Sequence, residues 1–177
     1  MVTPQQKKEA DAQYVLKRLG LDWGTLQGKK ILDIGEGSPE LRDCAQARGV
    51  TVIPLSIEAG DREFPYRDES FDYVISFALF PGAFPDVCVV EAIFKHAQRV
   101  LKKGGEFRFG PGNVYFGDEK MSVISDKETD AQKENRMRGI YERSLAFLQT
   151  LDKNIEVMAM SGEDPTLFFY HTFISRK

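Results

Sequence analysis

The sequence has few of the residues that mark metalloproteins and disulfide-rich proteins. Among 177 residues there are two cysteines and two histidines. Neither cysteine has a histidine or cysteine neighbour at the spacing of zinc ligands, so we expect no metal site. We expect Cys44 and Cys88 to be small buried residues in a reducing compartment rather than a disulfide.

An excess of basic charge and long apolar runs are missing as well. The net charge of −3 gives no electrostatic footprint for nucleic acid or an anionic membrane surface. No apolar run approaches the ~20 residues of a membrane span, and the N-terminal segment lacks the apolar core of a signal peptide. We therefore expect a cytoplasmic protein without a nucleic-acid or membrane partner.

The hydrophobic and turn patterns predict one α/β domain that covers residues 1–177. Helical spacing of apolar residues predicts helices over 4–19, 39–48, 86–102 and 130–151. Short apolar runs predict strands over 30–34, 50–55, 73–77, 106–109, 155–160 and 167–175, with a turn at Gly104 and Gly105. This alternation favours helices on both faces of a mainly parallel sheet, with the last two strands as antiparallel neighbours.

The segment from Ile31 to Gly37 carries the clearest functional signal. An apolar strand ends in an acid and a Gly-Glu-Gly turn, and Ser38 and Pro39 then suit the start of a helix. A strand, a glycine turn and a helix N-terminus form a nucleotide-type pocket, although a Gly-x-Gly pair alone also fits a plain tight turn. The third glycine of a dinucleotide fingerprint is missing, and Asp33 would repel a phosphate, which argues against an NAD-binding oxidoreductase.

Two further segments turn this weak motif into a family resemblance. Residues 60–76 read Gly-Asp-Arg-Glu-Phe-Pro-Tyr-Arg-Asp-Glu-Ser-Phe-Asp-Tyr-Val-Ile-Ser, and residues 98–105 read Gln-Arg-Val-Leu-Lys-Lys-Gly-Gly. Together with Leu-Asp-Ile-Gly-Glu-Gly, their order and spacing resemble the class I S-adenosylmethionine-dependent methyltransferases from about residue 29 to 110. The resemblance implies a Rossmann-like three-layer sandwich and S-adenosylmethionine as the cofactor.

The resemblance also implies roles for individual residues. The turn of Asp33, Gly35 and Gly37 would lie beneath the methionine part of the cofactor, with Glu36 beside it. Asp61 resembles the acid that binds the adenine amino group, Arg62 follows along the adenine edge, and Phe77 and Ala78 resemble the floor of the methionine pocket. Two simpler alternatives stay open, because Asp61 also suits a plain turn and Phe77 also suits the core.

The chain departs from the family pattern at two points. Ser56 occupies the position of the acid that grips both ribose hydroxyls, and Glu58 is either a substitute for that acid or a solvated surface residue. The few residues between the second strand and Gly60 leave no room for the usual helix and strand, since a crossover needs about a dozen residues. We therefore expect a sheet shortened at the edge between the family's second and third strands.

Taken together, these features predict an enzyme that transfers a methyl group from S-adenosylmethionine to a small-molecule acceptor. The apolar segment 79–85 favours a hydrophobic acceptor, and Tyr115, Asp118 and Glu119 are candidates to line its site. No catalytic residue is assigned, because structural roles are favoured for His96 and His171. The alternative is a methyltransferase fold that has lost catalysis and acts as a binding or interaction module.

Overall fold

A computed structural model describes residues 2–35, 39–57, 63–77, 87–110, 129–158 and 171–177. The helices are α1 (Pro4–Arg18), α2 (Trp23–Leu26), α3 (Pro39–Gln46), α4 (Val87–Val100) and α5 (Asp130–Leu151). The strands are β1 (Lys30–Ile34), β2 (Thr51–Leu55), β3 (Phe71–Phe77), β4 (Leu101–Gly110), β5 (Glu156–Met158) and β6 (Thr172–Arg176). In this part of the chain, no helix combines the length and apolarity that a membrane span requires.

The strands form one six-stranded sheet in the order β2-β1-β3-β4-β6-β5. The first four strands are parallel, and β6 pairs antiparallel with both β4 and β5. The predicted sheet and its antiparallel C-terminal pair are therefore confirmed. Within the described residues β2 forms the sheet edge, as the short connection after it predicted.

Side chains from the two faces of the sheet enter two separate cores. On one face, Ile31 and Ile75 pack with α1 and α3. On the other face, Leu32, Val74 and Phe107 pack with α4 and α5. Alternate residues of each strand therefore face opposite layers, and the molecule has the predicted three-layer arrangement.

The apolar residues whose helical spacing predicts the helices over 4–19, 39–48 and 86–102 are buried, as that spacing requires. They are Ala12, Val15, Leu16, Leu19, Leu41, Cys44, Ala45, Val90, Ile93, Phe94, Ala97, Val100 and Leu101, the last of which begins β4 in the structure. In α5, Leu148 is buried, while Leu145 and Phe147 are half-buried. The side chain of Ile140, another apolar residue of α5, lies outside the described part.

Two details of the helices differ from the sequence-based expectation. Cys88 is exposed, because it lies in the first turn of α4 on the side opposite Val90 and Phe94, so the prediction that it is buried was wrong. The short helix α2 was not predicted, and the Asp22 side chain caps it by accepting a hydrogen bond from the Thr25 amide at 2.8 Å. Both cysteines are free, as expected.

The predicted turn at Gly104 and Gly105 lies inside β4 instead. The pairing between β3 and β4 shifts register there, so the strand contains an irregularity rather than beginning after a turn. The Gly104 amide donates to the Lys177 carbonyl at 3.0 Å, and the Lys177 amide donates to the Gly105 carbonyl at 3.1 Å. These backbone bonds extend the ladder with the C-terminal strand through the irregular segment.

Helix α1 is fixed to the sheet at its C-terminal end. The Arg108 guanidinium on β4 donates to the carbonyls of Leu19 and Gly20 at 2.9 and 2.6 Å. The Thr172 hydroxyl on β6 donates to the Arg18 carbonyl. The last carbonyls of a helix have no partner within the helix, so these side chains satisfy them and hold α1 against the carboxyl half of the sheet.

A charged group on β4 and β6 supports the same contact. Glu106 accepts hydrogen bonds from Arg108 at 2.7 Å and from Arg176 at 2.8 Å. Burial alone would raise the pKa of Glu106, but the hydrogen bonds from Arg176 and Arg108 outweigh it and hold the pKa below its ordinary value. A lowered pKa means that the stabilisation is present at neutral pH and is lost as the pH falls through the folded-state value.

We predict that Glu106→Gln lowers the free energy of unfolding by about 1–3 kcal/mol at pH 7, because two charge-assisted hydrogen bonds lose their acceptor. Since the stabilisation requires the ionised carboxylate, the difference from the wild type narrows below pH ~4. Urea titrations at both pH values measure the effect. Glu156→Gln, which changes a more exposed partner of Arg176, is the control with a smaller loss. An equal difference at both pH values would contradict the assignment.

Candidate functional site

The carboxyl ends of β1 and β3 lie at the point where the chain changes direction in the sheet. From β1 the chain passes through α3 to β2 on one side, and it then returns to β3 on the other side of β1. In open α/β sheets, ligands bind in the crevice outside such a switch point. Gly35, the first residue of the predicted glycine turn, follows β1 directly and therefore lies at this switch point.

Gly35 begins the turn in a conformation that favours glycine. Its φ is 124°, a region that residues with a Cβ rarely adopt. The Gly35 amide donates to the Leu55 carbonyl at the end of β2, at 2.8 Å. This amide is therefore engaged within the protein, and any ligand that meets main chain here contacts other groups of the turn.

Asp33 is buried beneath the crevice. It is 3% exposed and lies in register between Pro54 of β2 and Ile75 of β3. By strand alternation it shares the face of Ile31, which packs with α1 and α3. Buried polar groups need hydrogen-bond or ionic partners, and this position places the Asp33 carboxyl group directly under the start of the turn.

Two further predicted residues lie at the same edge of the sheet. Ser56 directly follows β2 and is exposed, and Phe77 is the last residue of β3 and is half-buried. The structure thus brings Asp33, Gly35, Ser56 and Phe77 to the carboxyl ends of three adjacent strands. The other predicted cofactor residues lie outside the described part of the chain: Glu36, Gly37, Glu58, Asp61, Arg62 and Ala78. The predicted acceptor residues Tyr115, Asp118 and Glu119 and the segment 79–85 lie outside it as well.

Two residues of α1 reach this edge and were not predicted from the sequence. The Tyr14 ring meets the edge of the Phe77 ring, with centroids 6.1 Å apart and planes at 86°. Arg18 is 3% exposed, and its Nε donates to the Tyr14 hydroxyl at 3.1 Å. The i,i+4 spacing of this pair was the available signal, but helical periodicity alone does not show which strand end the pair approaches.

A buried hydroxyl lies near the carboxyl end of β3, on the face of the sheet that packs with α4 and α5. Ser76 is fully buried one residue before the end of β3, and among the described residues its Oγ has no hydrogen-bond partner. Its register partner is Phe109 on β4, which packs in the core beneath α4 and α5. A buried hydroxyl without a partner is costly in a folded protein, so Ser76 offers an unused polar contact on this face.

The opposite edge of the sheet has a shallow cleft with a different character. Lys29, Asp72, Lys102 and Gly104 lie in its lining, and the Lys102 ammonium pairs with the Asp72 carboxylate at 3.0 Å. Lys102 is thus paired within the protein, while Lys29 and Lys103 add further positive charge to the lining. Across the described ranges, no group of three or more histidine, cysteine or acidic side chains is arranged to hold a metal ion.

Comparison with known families and structures gives a consistent picture. Residues 27–109 match the model of a family described as a methyltransferase domain. This segment runs from the turn before β1 to the end of β4 and includes the crevice. No curated protein matches the chain.

Solved structures with the same fold are methyltransferases of low sequence identity. A candidate sarcosine dimethylglycine methyltransferase from Galdieria sulphuraria is 19% identical, with a TM-score of 0.53 over 85% of this chain and 64% of that protein. Phosphoethanolamine N-methyltransferase 2 from Haemonchus contortus is 22% identical, with a TM-score of 0.52 over 86% of this chain and 39% of that enzyme. An S-adenosylmethionine-dependent methyltransferase from Aquifex aeolicus is 13% identical, with a TM-score of 0.50 and coverages of 98% and 92%.

Two buried serines provide a matched test of the unused hydroxyl. Ser175 is also fully buried, but it donates to Asp152 and accepts from Gln98. We predict that Ser175→Ala lowers the free energy of unfolding by about 1–3 kcal/mol, whereas Ser76→Ala leaves it unchanged or raises it, because no hydrogen bond is lost. Urea unfolding of both variants without ligand measures the difference. A loss at Ser76 equal to that at Ser175 would contradict the absence of a partner.

Proposed function

We propose that this protein binds S-adenosylmethionine and transfers its methyl group to a small-molecule acceptor, because residues 27–109 match a family described as a methyltransferase domain. The observation that carries the proposal is the turn at Gly35, which lies at the switch point between β1 and β3 with the buried Asp33 beneath it. A negative charge beneath a main-chain turn suits the ammonium group of a bound amino acid. It does not suit a phosphate.

The cofactor contacts that we propose combine described residues with residues assigned by the resemblance. Asp33 and Gly35 would lie under the methionine half, and Phe77 with Tyr14 would form its apolar wall. The remaining proposed contacts are Glu36, Gly37 and Ala78 near the methionine and Ser56, Glu58, Asp61 and Arg62 near the adenosine. The methyl donor is already reactive, so the protein has to hold the acceptor in line and exclude water.

A small acceptor is supported by the similar structures. One Haemonchus contortus structure contains phosphomonomethylethanolamine and S-adenosylhomocysteine, which are both small molecules. This chain spans 39% of that enzyme and 64% of the Galdieria sulphuraria protein. For this chain we therefore propose only the class of acceptor, a small molecule. We also propose a cytoplasmic location.

A binding or interaction module is the second candidate function, and Ser56 favours it. An exposed serine follows β2 at the position where the family resemblance implies an acid. A hydroxyl cannot accept two hydrogen bonds as a carboxylate does. A fold that kept its shape but lost cofactor affinity would show this kind of change.

Titration with S-adenosylhomocysteine separates the two functions. For an enzyme, we expect calorimetry to show micromolar affinity, a binding free energy of about −8 kcal/mol. Gly35→Arg should abolish binding, because its side chain would enter the turn; circular dichroism establishes that this variant folds. Absence of binding to the folded wild type at millimolar ligand would overturn the enzyme and favour the module.

The serine after β2 offers a gain-of-function prediction. Ser56→Asp should tighten S-adenosylhomocysteine binding roughly ten- to a hundred-fold, because a carboxylate adds a charged acceptor for the ribose, which is worth on the order of 1.5–3 kcal/mol. Ser56→Asn has the same shape without the charge and is the control, with little change in affinity. Since Ser56 is exposed, neither change disturbs the core. Equal affinities of all three proteins would place the ribose elsewhere.

A further inference from the structure

His171 lies at the same edge of the sheet as the Gly35 turn. It immediately precedes β6, which runs antiparallel to β4, so the start of β6 adjoins the end of β4. The two backbones approach closely here, since a Cβ on Gly110 would lie 2.6 Å from the His171 carbonyl oxygen. Three strand spacings separate β1 from β6, a distance of about 14 Å.

The His171 side chain lies on the face of the sheet that carries α4 and α5. The next residue, Thr172, bonds to α1 on the opposite face, and Phe173 packs in the core beneath α4 and α5. Strand alternation therefore gives His171 and Phe173 the same face. The His171 ring lies 5.1 Å from the ring of Tyr141 on α5 and is 9% exposed.

Tyr141 holds the imidazole from the helix side. Its ring lies 6.3 Å from that of Phe173, so it is packed against the strand as well as against the histidine. Burial raises the pKa of the Tyr141 phenol, which keeps this group neutral at physiological pH. A neutral aromatic ring next to an imidazole stabilises a positive charge that forms there.

Ser76 is a second buried polar residue on this face of the sheet. It lies two strands from β6, about 10 Å away. It is linked to β6 through Phe109, its register partner, whose ring stacks on that of Phe173 at 5.3 Å. Its hydroxyl has no partner among the described residues. A buried imidazole and a buried hydroxyl thus flank the ends of β3, β4 and β6 on one face.

We propose that His171, positioned by Tyr141, faces a small amine acceptor and takes the proton that methylation releases. This inference rests on the proposed function. The amine nitrogen donates its lone pair to the methyl carbon and forms the N–C bond as the C–S bond breaks. The sulfur keeps the bonding electron pair and becomes a neutral thioether. The proton leaves before this methyl transfer: the ammonium form of the acceptor passes it to the imidazole, which becomes an imidazolium, and this frees the nitrogen lone pair, so charge and atoms balance.

Because the chain has two histidines, NMR signals of histidine-labelled protein can show whether a ligand binds next to His171. His96 is the internal control, since it lies on α4 against the Phe64 ring at 5.4 Å. The probes are S-adenosylhomocysteine and sinefungin, in which a carbon bearing an amine replaces the methylated sulfur. With histidine-labelled protein, we expect sinefungin to shift the His171 ring signals more than S-adenosylhomocysteine does. The His96 signals should not move; His96→Gln and His171→Gln assign the spectrum.

The outcomes separate the two proposals. If S-adenosylhomocysteine binds but neither probe moves the His171 signals, the inference is wrong and the proposed function stands. If the wild type does not bind S-adenosylhomocysteine, the proposed function itself fails.

Turnover tests the proton transfer. With a mixture of primary and secondary amines, His171→Gln should lower S-adenosylhomocysteine production by about 10²–10⁴-fold, with its binding affinity unchanged. Equal turnover would overturn the role of His171. A wild type that binds the cofactor product but methylates no amine would overturn the acceptor class.

Discussion

The pairing of β1 on both sides is the constraint on which the rest of the structure depends. Its residues Ile31, Leu32 and Ile34 are at most 1% exposed, and the strand hydrogen-bonds to β2 and β3 at once. At the carboxyl end of β1, the next strand in sequence, β2, lies on one side of β1, and the following strand, β3, lies on the other. The switch point is therefore a consequence of chain direction. Gly35 follows β1 at this point because glycine tolerates the positive φ that the backbone adopts there.

Helix α1 makes this crevice more than a general property of α/β sheets. Its C-terminal carbonyls are bound by Arg108 and by Thr172, which belong to different strands. This anchorage holds Tyr14 against Phe77 at the end of β3. The contact between Tyr14 and Phe77 thus depends on side chains of β4 and β6. The hydrogen bonds that Glu106 accepts from Arg108 and Arg176 link the stability of this contact to the ionisation of the Glu106 carboxylate.

Local sequence patterns predicted the elements well, because helical and strand periodicities reflect which face is buried. The inward residues of α1, α3 and α4 follow that rule. The errors have physical causes: Cys88 lies in the first turn of α4, where an apolar residue can face solvent, and Gly104 lies in a strand irregularity that pairing with Lys177 completes. The contacts of Tyr14 with Phe77 and of Tyr141 with His171 depend on tertiary packing, which the periodicity of the sequence does not predict.

The strand ends divide the chemistry of the site between two faces. On the α1 face lie the carboxyl group of Asp33 and the ring of Phe77, which we propose to contact the amino-acid half of a methyl donor. On the α4 and α5 face, Ser76 and His171 are polar groups that an apolar core would not require. A module that only binds the donor needs the first face alone. A buried hydroxyl with no described partner is destabilising, so its presence on the second face favours a protein that also receives an acceptor there.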